Sequence, residues 1–241
     1  DFIIVAEPLR AAPDRIAAWC ERKTGIGADG VLEVTPVDES SVAMRYWNAD
    51  GGAAEMCGNG LRCVGLVAVE LGLVPGPTLT VHSAVGEHRA TVLPGGIVRA
   101  FVGEPHAFRT EELTVAGHRV RPVGVGNPHA VLFVDDVDEA EVEAVGSRIE
   151  GDPIFPEGSN VEFVQLGEGN RIHVRVWERG VGETRASGTG ATAAAFAART
   201  VGGLEDVVTV VLPGGELLIE FDDAGAWMTG PATIVFSGSL D

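Results

Sequence analysis

The chain has 241 residues, of which 45% are hydrophobic, and this is enough apolar material for one large domain or two small ones. Its formal net charge of −18 argues against a nucleic-acid partner, because phosphate backbones are bound by clustered Lys and Arg. No apolar run reaches the roughly 18–20 residues that cross a bilayer, and the best candidate, 64–74, is interrupted by Glu70. We therefore expect a soluble protein with neither a nucleic-acid nor a membrane partner.

The three cysteines are Cys20, Cys57 and Cys63, an odd number without C-x-x-C spacing. This pattern is typical of reduced thiols and predicts a cytoplasmic location. The six histidines are scattered and show no metal-ligand spacing, so we expect no metal site.

The predicted elements repeat once along the chain. A strand at the start of the chain is followed by a strand ending in R-Y-W (45–47), a glycine-rich loop, a helix over Leu61–Leu71, and paired strands Leu79–Ser83 and Ala90–Leu93. The second round has a strand ending in R-V-W (175–177), a glycine-rich loop, an alanine-rich helix, and paired strands Val207–Leu212 and Glu216–Phe221. Pro94-Gly95-Gly96 and Pro213-Gly214-Gly215 supply the turns.

The repeat is an offset of 130 residues, which lays 43–68 on 173–198 without a gap. Arginine meets arginine at 45 and 175, and tryptophan meets tryptophan at 47 and 177. At the same offset Cys57 meets Ser187. Chance similarity of Ala- and Gly-rich segments is the alternative, and the matched Trp and Arg positions argue against it.

These elements predict an α+β fold of two pseudo-symmetric lobes, each a curved, mostly antiparallel sheet around one central helix. We expect one lobe to comprise 1–112 with 229–241 and the other 113–228, with the crossover near Glu111–Gly124. A pseudo-two-fold arrangement would bring Cys57 and Ser187 to face each other across one cleft, a common place for small ligands.

Two glycine-rich helix starts carry the candidate chemistry. Cys57 comes directly before Gly58-Asn59, where the positive end of a helix dipole favours a thiolate. The N–H groups at Gly58-Asn59 and at Gly188-Thr189 are suited to holding one carboxylate together. No P-loop or dinucleotide fingerprint is present in this context, which argues against a nucleotide ligand.

The alternative for Cys57 is a buried cysteine with a structural role only. Cys63 is expected inside the helix and in the core.

Several motifs in order resemble the diaminopimelate epimerase family, and the resemblance runs essentially from end to end. They are T-G-I-G-A-D-G (24–30), N-A-D-G-G-A-A-E-M-C-G-N-G-L-R-C (48–63), G-N-P-H (126–129), G-S-N-V-E-F (158–163) and W-E-R-G-V-G-E-T-R-A-S-G-T-G (177–190).

The resemblance implies an epimerase that needs no cofactor and uses two cysteines, one on each face of the substrate α-carbon. One, as a thiolate, removes the α-proton, and the other, as a thiol, delivers a proton to the opposite face. The family interconverts LL- and meso-diaminopimelate for lysine and cell-wall synthesis. It also implies two lobes that close over the substrate, and commonly a homodimer.

By motif, the resemblance assigns Cys57 as one catalytic cysteine and places Ser187 at the position of the other. His129 matches a histidine near the first cysteine, and the helix starts Gly58, Asn59, Gly188 and Thr189 match the turns that cradle the carboxylate. In the family, further residues hold the distal amino-acid end of the substrate or its α-amino group. Their counterparts in this sequence are Asn48, Asn127, Asn160, Glu178 and Arg179.

Two departures leave alternatives open. A serine hydroxyl is a poor base at pH 7 without a neighbour to take its proton, and no partner for Ser187 is evident in the sequence. The family's N-terminal G-x-x-N-D-F segment is represented only by Asp1-Phe2. The serine fits a natural epimerase with one good base, a substitution introduced into a conventional epimerase, another amino-acid racemase, a hydroxy-amino-acid dehydratase, or a non-catalytic amino-acid-binding relative.

Overall fold

The computed structural model of the chain describes residues 1–54, 56–108 and 112–240. These form two compact units, Asp1–Ala100 with Gly230–Asp241, and Phe101–Thr229. The first boundary lies earlier than the one expected at 112/113, because Phe101 packs within the second unit on Trp227, with ring centroids 5.1 Å apart. Of the crossover expected near Glu111–Gly124, Glu111 lies outside the described residues, and the rest contains a strand hairpin.

The first unit is a mixed sheet with two helices. Its elements are β1 (Phe2–Val5), α1 (Pro13–Cys20), β2 (Gly30–Asp38), β3 (Ser41–Asn48), β4 (Ala53–Ala54), α2 (Gly58–Glu70), β5 (Thr78–Ser83), β6 (Gly86–Leu93) and β7 (Ile97–Gly103), the last of which crosses the boundary between the units. The strands run β1–β2–β3–β5–β6–β7, in which β1 with β2 and β3 with β5 are parallel and the other neighbours are antiparallel. The short β4 pairs with the end of β3.

The second unit begins with small strands and then repeats the order of the first. Its elements are β8 (His106–Ala107), β9 (Leu113–Val115), β10 (His118–Gly124), β11 (Pro128–Phe133), α3 (Val142–Glu150), β12 (Asn160–Leu166), β13 (Arg171–Glu178), β14 (Gly182–Thr184), α4 (Gly188–Gly202), β15 (Val207–Leu212), β16 (Gly215–Asp222) and β17 (Gly225–Pro231). The small strands β8 and β9 pair with β10. The main strands run β10–β11–β12–β13–β15–β16–β17, in which β11 with β12 and β13 with β15 are parallel.

The 130-residue offset is preserved in the strand register. Val31 lies opposite Trp47 in the first unit, and Val161 lies opposite Trp177 in the second. The central helices α2 and α4 begin at Gly58 and Gly188, again 130 residues apart. The internal repeat is therefore a repeat of topology, and the predicted α+β fold of two similar, mostly antiparallel halves is confirmed.

The central helices are buried around most of their circumference. In α2 the side chains of Leu61, Val64 and Ala68 are 0% exposed. Helix α4 is lined by buried alanines, among them Ala191 and Ala198, whose small side chains allow the sheet to approach the helix closely. A helix that is apolar on nearly every side belongs in a core, which explains why a sheet curves around each one.

Some boundaries differ from those expected. Helix α2 begins at Gly58 and not at Leu61, because the side chain of Cys57 caps it and its first turn starts at once. Helices α1 and α3 were not predicted from the sequence. They pack through short apolar faces, as Ile16 and Cys20 do against Val31. Within the described ranges, none of the helices is both long and apolar enough to cross a membrane.

Candidate active site

Cys57 is the N-cap residue of α2. Its backbone is extended (φ −139°, ψ 109°), and its Sγ accepts a hydrogen bond from the backbone N–H of Gly60 at 3.3 Å. The first N–H groups of a helix have no partner within the helix, so the sulfur atom sits beside a group of donors and at the positive end of the dipole. The side chain is partly exposed. The thiol is therefore accessible, and its surroundings favour a negative charge.

A buried arginine reinforces this electrostatic setting. Arg62 is 7% exposed, and its Nη1 donates to Asn59 Oδ1 at 3.1 Å while its Nε donates to the Pro231 carbonyl at 3.4 Å. Burial lowers the pKa of Arg62, and its attraction to Cys63 and Cys57 opposes that shift. The guanidinium is thus close enough to Cys57 to favour its thiolate, since charges interact strongly where water is excluded.

The other two cysteines are in surroundings that disfavour reaction. Burial raises the pKa of the Cys63 thiol, and it raises that of Cys20 as well. Cys63 lies inside α2 as expected, but it is partly exposed and not a core residue, because it lies one turn after Asn59 on the same side of the helix, where Asn59 is also partly exposed.

Asn48 ends β3 in the turn that leads towards α2. Its N–H donates to the Gly52 carbonyl at 2.9 Å, and its own carbonyl accepts from the N–H of Gly51 at 2.9 Å. Gly51 has a φ of +83°, and an added Cβ would lie 2.2 Å from the Pro13 carbonyl oxygen, so this turn requires glycine. The turn fixes the position of Asn48 relative to the strand.

In the second unit Ser187 occupies the same position. It is the N-cap residue of α4 with extended backbone (φ −133°, ψ 124°), and its Oγ accepts from the N–H of Gly190 at 3.3 Å. Ser187 is 3% exposed, in contrast to the partly exposed Cys57. Gly188 and Thr189, in the first turn of α4, are also buried.

A buried chain of polar side chains lies in the same unit. His129 and Glu162 are both 0% exposed, and His129 Nδ1 lies 2.7 Å from Glu162 Oε1. His129 Nε2 lies 2.8 Å from Asn127 Oδ1. Burial raises the pKa of Glu162, and the neighbouring His129 opposes this shift. Oε2 of Glu162 has no hydrogen-bond partner among the described residues. The sequence motif G-N-P-H thus supplies two members of a chain that ends on a carboxyl group.

The remaining predicted residues of this unit lie around the same strands. Asn160 is 5% exposed, and its Oδ1 accepts from the N–H of Arg179 at 2.9 Å while its Nδ2 donates to the Pro128 carbonyl at 3.2 Å. Glu178 accepts a hydrogen bond from Thr184 Oγ1 at 2.5 Å. The exposed Arg179 donates through Nη1 to the Glu157 carbonyl at 3.0 Å. Asn160 therefore ties the G-N-P-H and W-E-R segments together.

An apolar cavity of about 340 Å³ adjoins these segments. Pro128 and Gly158, from the G-N-P-H and G-S-N-V-E-F motifs, form one part of its lining. Apolar side chains form most of the rest, namely Phe108, Leu113, Pro122, Ile154, Phe155 and Pro156. The second unit thus offers an apolar wall beside its polar residues.

Sequence reasoning assigned no role to Glu162 or Arg62, although both lie in the motifs. The signal for Glu162 is an acidic residue inside the apolar run V-E-F-V of a buried strand. A charged residue at such a position is rarely buried without a partner. Arg62 gives the equivalent signal inside the apolar helix α2.

Solved structures with this fold include a probable proline racemase from Agrobacterium radiobacter K84, with a TM-score of 0.68 and 17% identity over 98% of this chain and 87% of that one. A hydroxyproline epimerase from Agrobacterium vitis has a TM-score of 0.69 and 14% identity over 93% of this chain and 81% of that one. At these identities the likeness defines the fold, which is one that amino-acid racemases and epimerases have.

Closer relatives define the family. The diaminopimelate epimerase family model matches residues 1–106 and 122–235. The diaminopimelate epimerase of Moorella thermoacetica is 40% identical over 266 residues, covering 100% of this chain and 95% of that protein, and that of Thioalkalivibrio sulfidiphilus is 40% identical over 264 residues with the same coverage. The chain belongs to the diaminopimelate epimerase family, whose members are isomerases acting on amino acids.

Proposed function

We propose that this protein epimerises LL-diaminopimelate to meso-diaminopimelate without pyridoxal phosphate, metal or any other cofactor, as a step of lysine biosynthesis. Cys57 exchanges the α-proton on one face of the α-carbon, and Ser187 serves the opposite face. The observation that carries the proposal is the equivalence of these two side chains, each of which caps a central helix in a family of epimerases.

The helix starts provide the electrostatic part of the reaction. An α-proton beside a carboxylate is very weakly acidic, so the carbanion that forms needs fixed hydrogen-bond donors and exclusion of water. The N–H groups at Gly58 and Asn59, together with those at Gly188 and Thr189, hold the substrate α-carboxylate. Their dipoles have the right sign before the reaction starts, so no reorganisation is needed.

The two faces differ in acid–base strength. A cysteine thiol, with an ordinary pKa of about 8.5, is acidic enough for a helix start to make its thiolate available, whereas a serine hydroxyl needs another group to accept or supply its proton. We therefore expect proton removal by Cys57 to proceed and the proton transfer at Ser187 to limit inversion. The partial exposure of Cys57 and its neighbour Arg62 support the first half of this expectation.

The other predicted residues hold the rest of the substrate. Carboxylate and amide oxygens suit the ammonium groups, and the guanidinium of Arg179 suits the distal carboxylate. The substrate-holding set comprises Asn48, Asn127, His129, Asn160, Glu178 and Arg179. A homodimer and a cytoplasmic location belong to the same proposal and are carried by the family resemblance.

A second candidate activity follows from Ser187 itself. In a hydroxy-amino-acid dehydratase one base removes the α-proton and the β-hydroxyl leaves, so that a single thiolate suffices. Racemisation of another amino acid and binding without turnover are the remaining alternatives. These alternatives differ from the proposed epimerase in the product they form and in whether they exchange the α-proton of diaminopimelate with solvent. One assay that measures both therefore distinguishes them.

The test is incubation of LL-diaminopimelate with the protein in deuterated water, with α-deuterium incorporation and stereochemistry measured separately. We expect exchange to be faster than inversion, and both to be absent in a Cys57→Ala variant. A Glu33→Gln variant, which changes a buried glutamate that accepts the Leu9 N–H, is the control for folding. Tight binding without exchange would favour a binding protein, and keto-acid release from a hydroxy-amino acid would favour a dehydratase.

A further inference from the structure

The turn that carries Glu178 and Arg179 is held from outside by one side chain. Glu150, the last residue of α3, accepts a hydrogen bond from Trp177 Nε1 at 2.6 Å through Oε2, and one from the Gly180 N–H at 2.8 Å through Oε1. The two donors precede and follow Glu178 and Arg179 in the sequence. One carboxylate therefore fixes both ends of this turn, and hydrogen bonds to a charged acceptor are the stronger kind.

The internal repeat shows that the turn forms without such a carboxylate. A backbone hydrogen bond closes residues 178–181 at 3.0 Å, and its equivalent 130 residues earlier closes residues 48–51 at 2.9 Å. At the same offset the counterpart of Glu150 is Cys20, a buried thiol at the end of α1. The carboxylate is thus not needed to close the turn, and it occurs in the unit whose turn carries Arg179.

The stem of Arg179 is confined between the turn and a neighbouring loop. Gly158 has a φ of +75°, and a Cβ added to it would lie 3.0 Å from Arg179 Cδ and 3.6 Å from Glu150 Cγ. The Arg179 N–H donates to Asn160 Oδ1 at 2.9 Å, and Nη1 of the same arginine donates to the Glu157 carbonyl at 3.0 Å. The backbone, the stem and one end of the guanidinium are therefore each held by a separate contact.

The charge of Arg179 is left for a ligand. Glu150 lies beside the arginine stem, yet its two oxygens accept from neutral N–H donors and it forms no ion pair with the guanidinium. No other carboxylate among the residues that the structure describes forms an ion pair with Arg179 either. A guanidinium that is held in place and has no carboxylate partner is suited to binding the carboxylate of a ligand.

We infer that Glu150 is a positioning residue for Arg179, and that it thereby sets the affinity of the protein for the distal carboxylate of diaminopimelate. The inference rests on the proposed function, in which Arg179 binds that carboxylate. Glu150 acts through the turn and does not touch the substrate. Because the turn is already ordered, less conformational freedom of the arginine is lost when the substrate binds.

The experiment measures the Kd of diaminopimelate by calorimetry and the kcat of α-deuterium exchange for each variant. Glu150→Gln keeps the size of the side chain but turns an NH2 group towards one of the two N–H donors. We expect the Kd to rise about tenfold, the low end for a lost hydrogen bond to a charged group, and kcat to change by no more than about twofold. An unchanged Kd would overturn the inference, and so would a loss confined to kcat.

The matched control is Glu143→Gln. Glu143 is an exposed residue in the first turn of the same helix, so this variant removes the same charge without touching the turn that carries Arg179. Neither Kd nor kcat should change. A rise in Kd equal to that of Glu150→Gln would show that the net charge of α3 acts on the substrate, and would overturn the inference.

A double-mutant cycle with Arg179→Ala separates positioning from a general effect on the fold. It is read as kcat/KM for exchange, which can be measured without saturating the protein. In the Arg179→Ala background Glu150→Gln should lower kcat/KM by no more than about twofold, because the group that Glu150 positions is gone. Equal losses in the two backgrounds would contradict a role through Arg179.

Trp177→Phe tests the same contact if Glu150→Gln does not fold. It removes the indole N–H and keeps an aromatic ring, so the Kd should rise about threefold, and an unchanged Kd would count against the inference. If the unsubstituted protein binds diaminopimelate without exchanging its α-proton, the proposed function is overturned while the Kd of the variants still decides the inference. If it does not bind diaminopimelate, both are overturned.

Discussion

Cys57 and Ser187 have the same structural role in their respective units. Each caps a central helix, and each side chain accepts a hydrogen bond of 3.3 Å from the N–H of the glycine three residues later. The backbone angles of the two residues differ by 6° in φ and 15° in ψ (−139° and 109° against −133° and 124°). The backbone geometry of the cap is therefore the same in the two units, although the capping atom is sulfur in one and oxygen in the other and Ser187 is the more deeply buried.

Restoring a thiol at position 187 is expected to speed inversion. Ser187→Cys keeps the capping position and supplies a thiol, which is far more acidic than a hydroxyl, so inversion of LL-diaminopimelate should rise by about 10²-fold or more. Exchange by Cys57 should change little. The measurement is α-deuterium incorporation and stereochemistry in deuterated water, and an unchanged inversion rate would contradict the two-face mechanism.

Cys57 is expected to be the most reactive thiol. Iodoacetamide at pH 7.5, followed by peptide mapping, should label Cys57 at least about tenfold faster than Cys63, because the thiolate is the reacting form and the pKa of Cys63 is raised by burial. Cys20, whose pKa is also raised, should label slowly. Diaminopimelate should protect Cys57. In Cys57→Ala only slow labelling should remain; rapid labelling of Cys63 in that variant would refute the expected order.

Alanine at Gly60 and at Gly190, the glycines whose N–H groups donate to the two capping side chains, should affect opposite faces. Gly190→Ala places a methyl group 2.9 Å from Glu162 Oε1 and 3.1 Å from Ser187 Oγ, so it should lower the ratio of inversion to exchange. Gly60→Ala crowds Cys57 and Leu32 at 3.2 Å and should lower exchange itself. The two variants are matched controls, since both gain about 1 kcal/mol of helix propensity. If the two variants had the same ratio of inversion to α-deuterium exchange, Cys57 and Ser187 would not act on separate faces of the α-carbon.

Stability should depend on pH through Glu162. Its pKa lies above the ordinary 4.5, so above that pH the native carboxyl group retains a proton that the unfolded chain releases. The free energy of unfolding attributable to Glu162 should therefore fall as pH rises from 4.5 through the native pKa, by at most about 1.4 kcal/mol per pH unit. Denaturant titrations of the protein and Glu162→Gln should diverge over this range; parallel profiles would contradict the shift.

Much of the fold was accessible from periodicity and repetition. The strands Val207–Leu212 and Ala90–Leu93, and the turn at Pro94-Gly95-Gly96 that follows the second of them, were located by alternating apolar residues and turn chemistry. Helix α1 was not, because its apolar face is short and its N-cap Ala12 makes no side-chain hydrogen bond. The start of α2 was misplaced because cysteine is not among the usual capping residues, although Cys57 acts as one.

The sequence by itself determined the repeat, the α+β class, the family resemblance and the pairing of Cys57 with Ser187, because these depend on residue order and on local patterns. Only the tertiary structure decided what lies beneath each helix start. Glu162 and His129 are 33 residues apart in sequence, and they meet because β11 and β12 are parallel neighbours. A local pattern cannot reveal such a contact, since the sheet creates it, and the sheet also places the Glu162 carboxyl group against Gly190, three residues after Ser187.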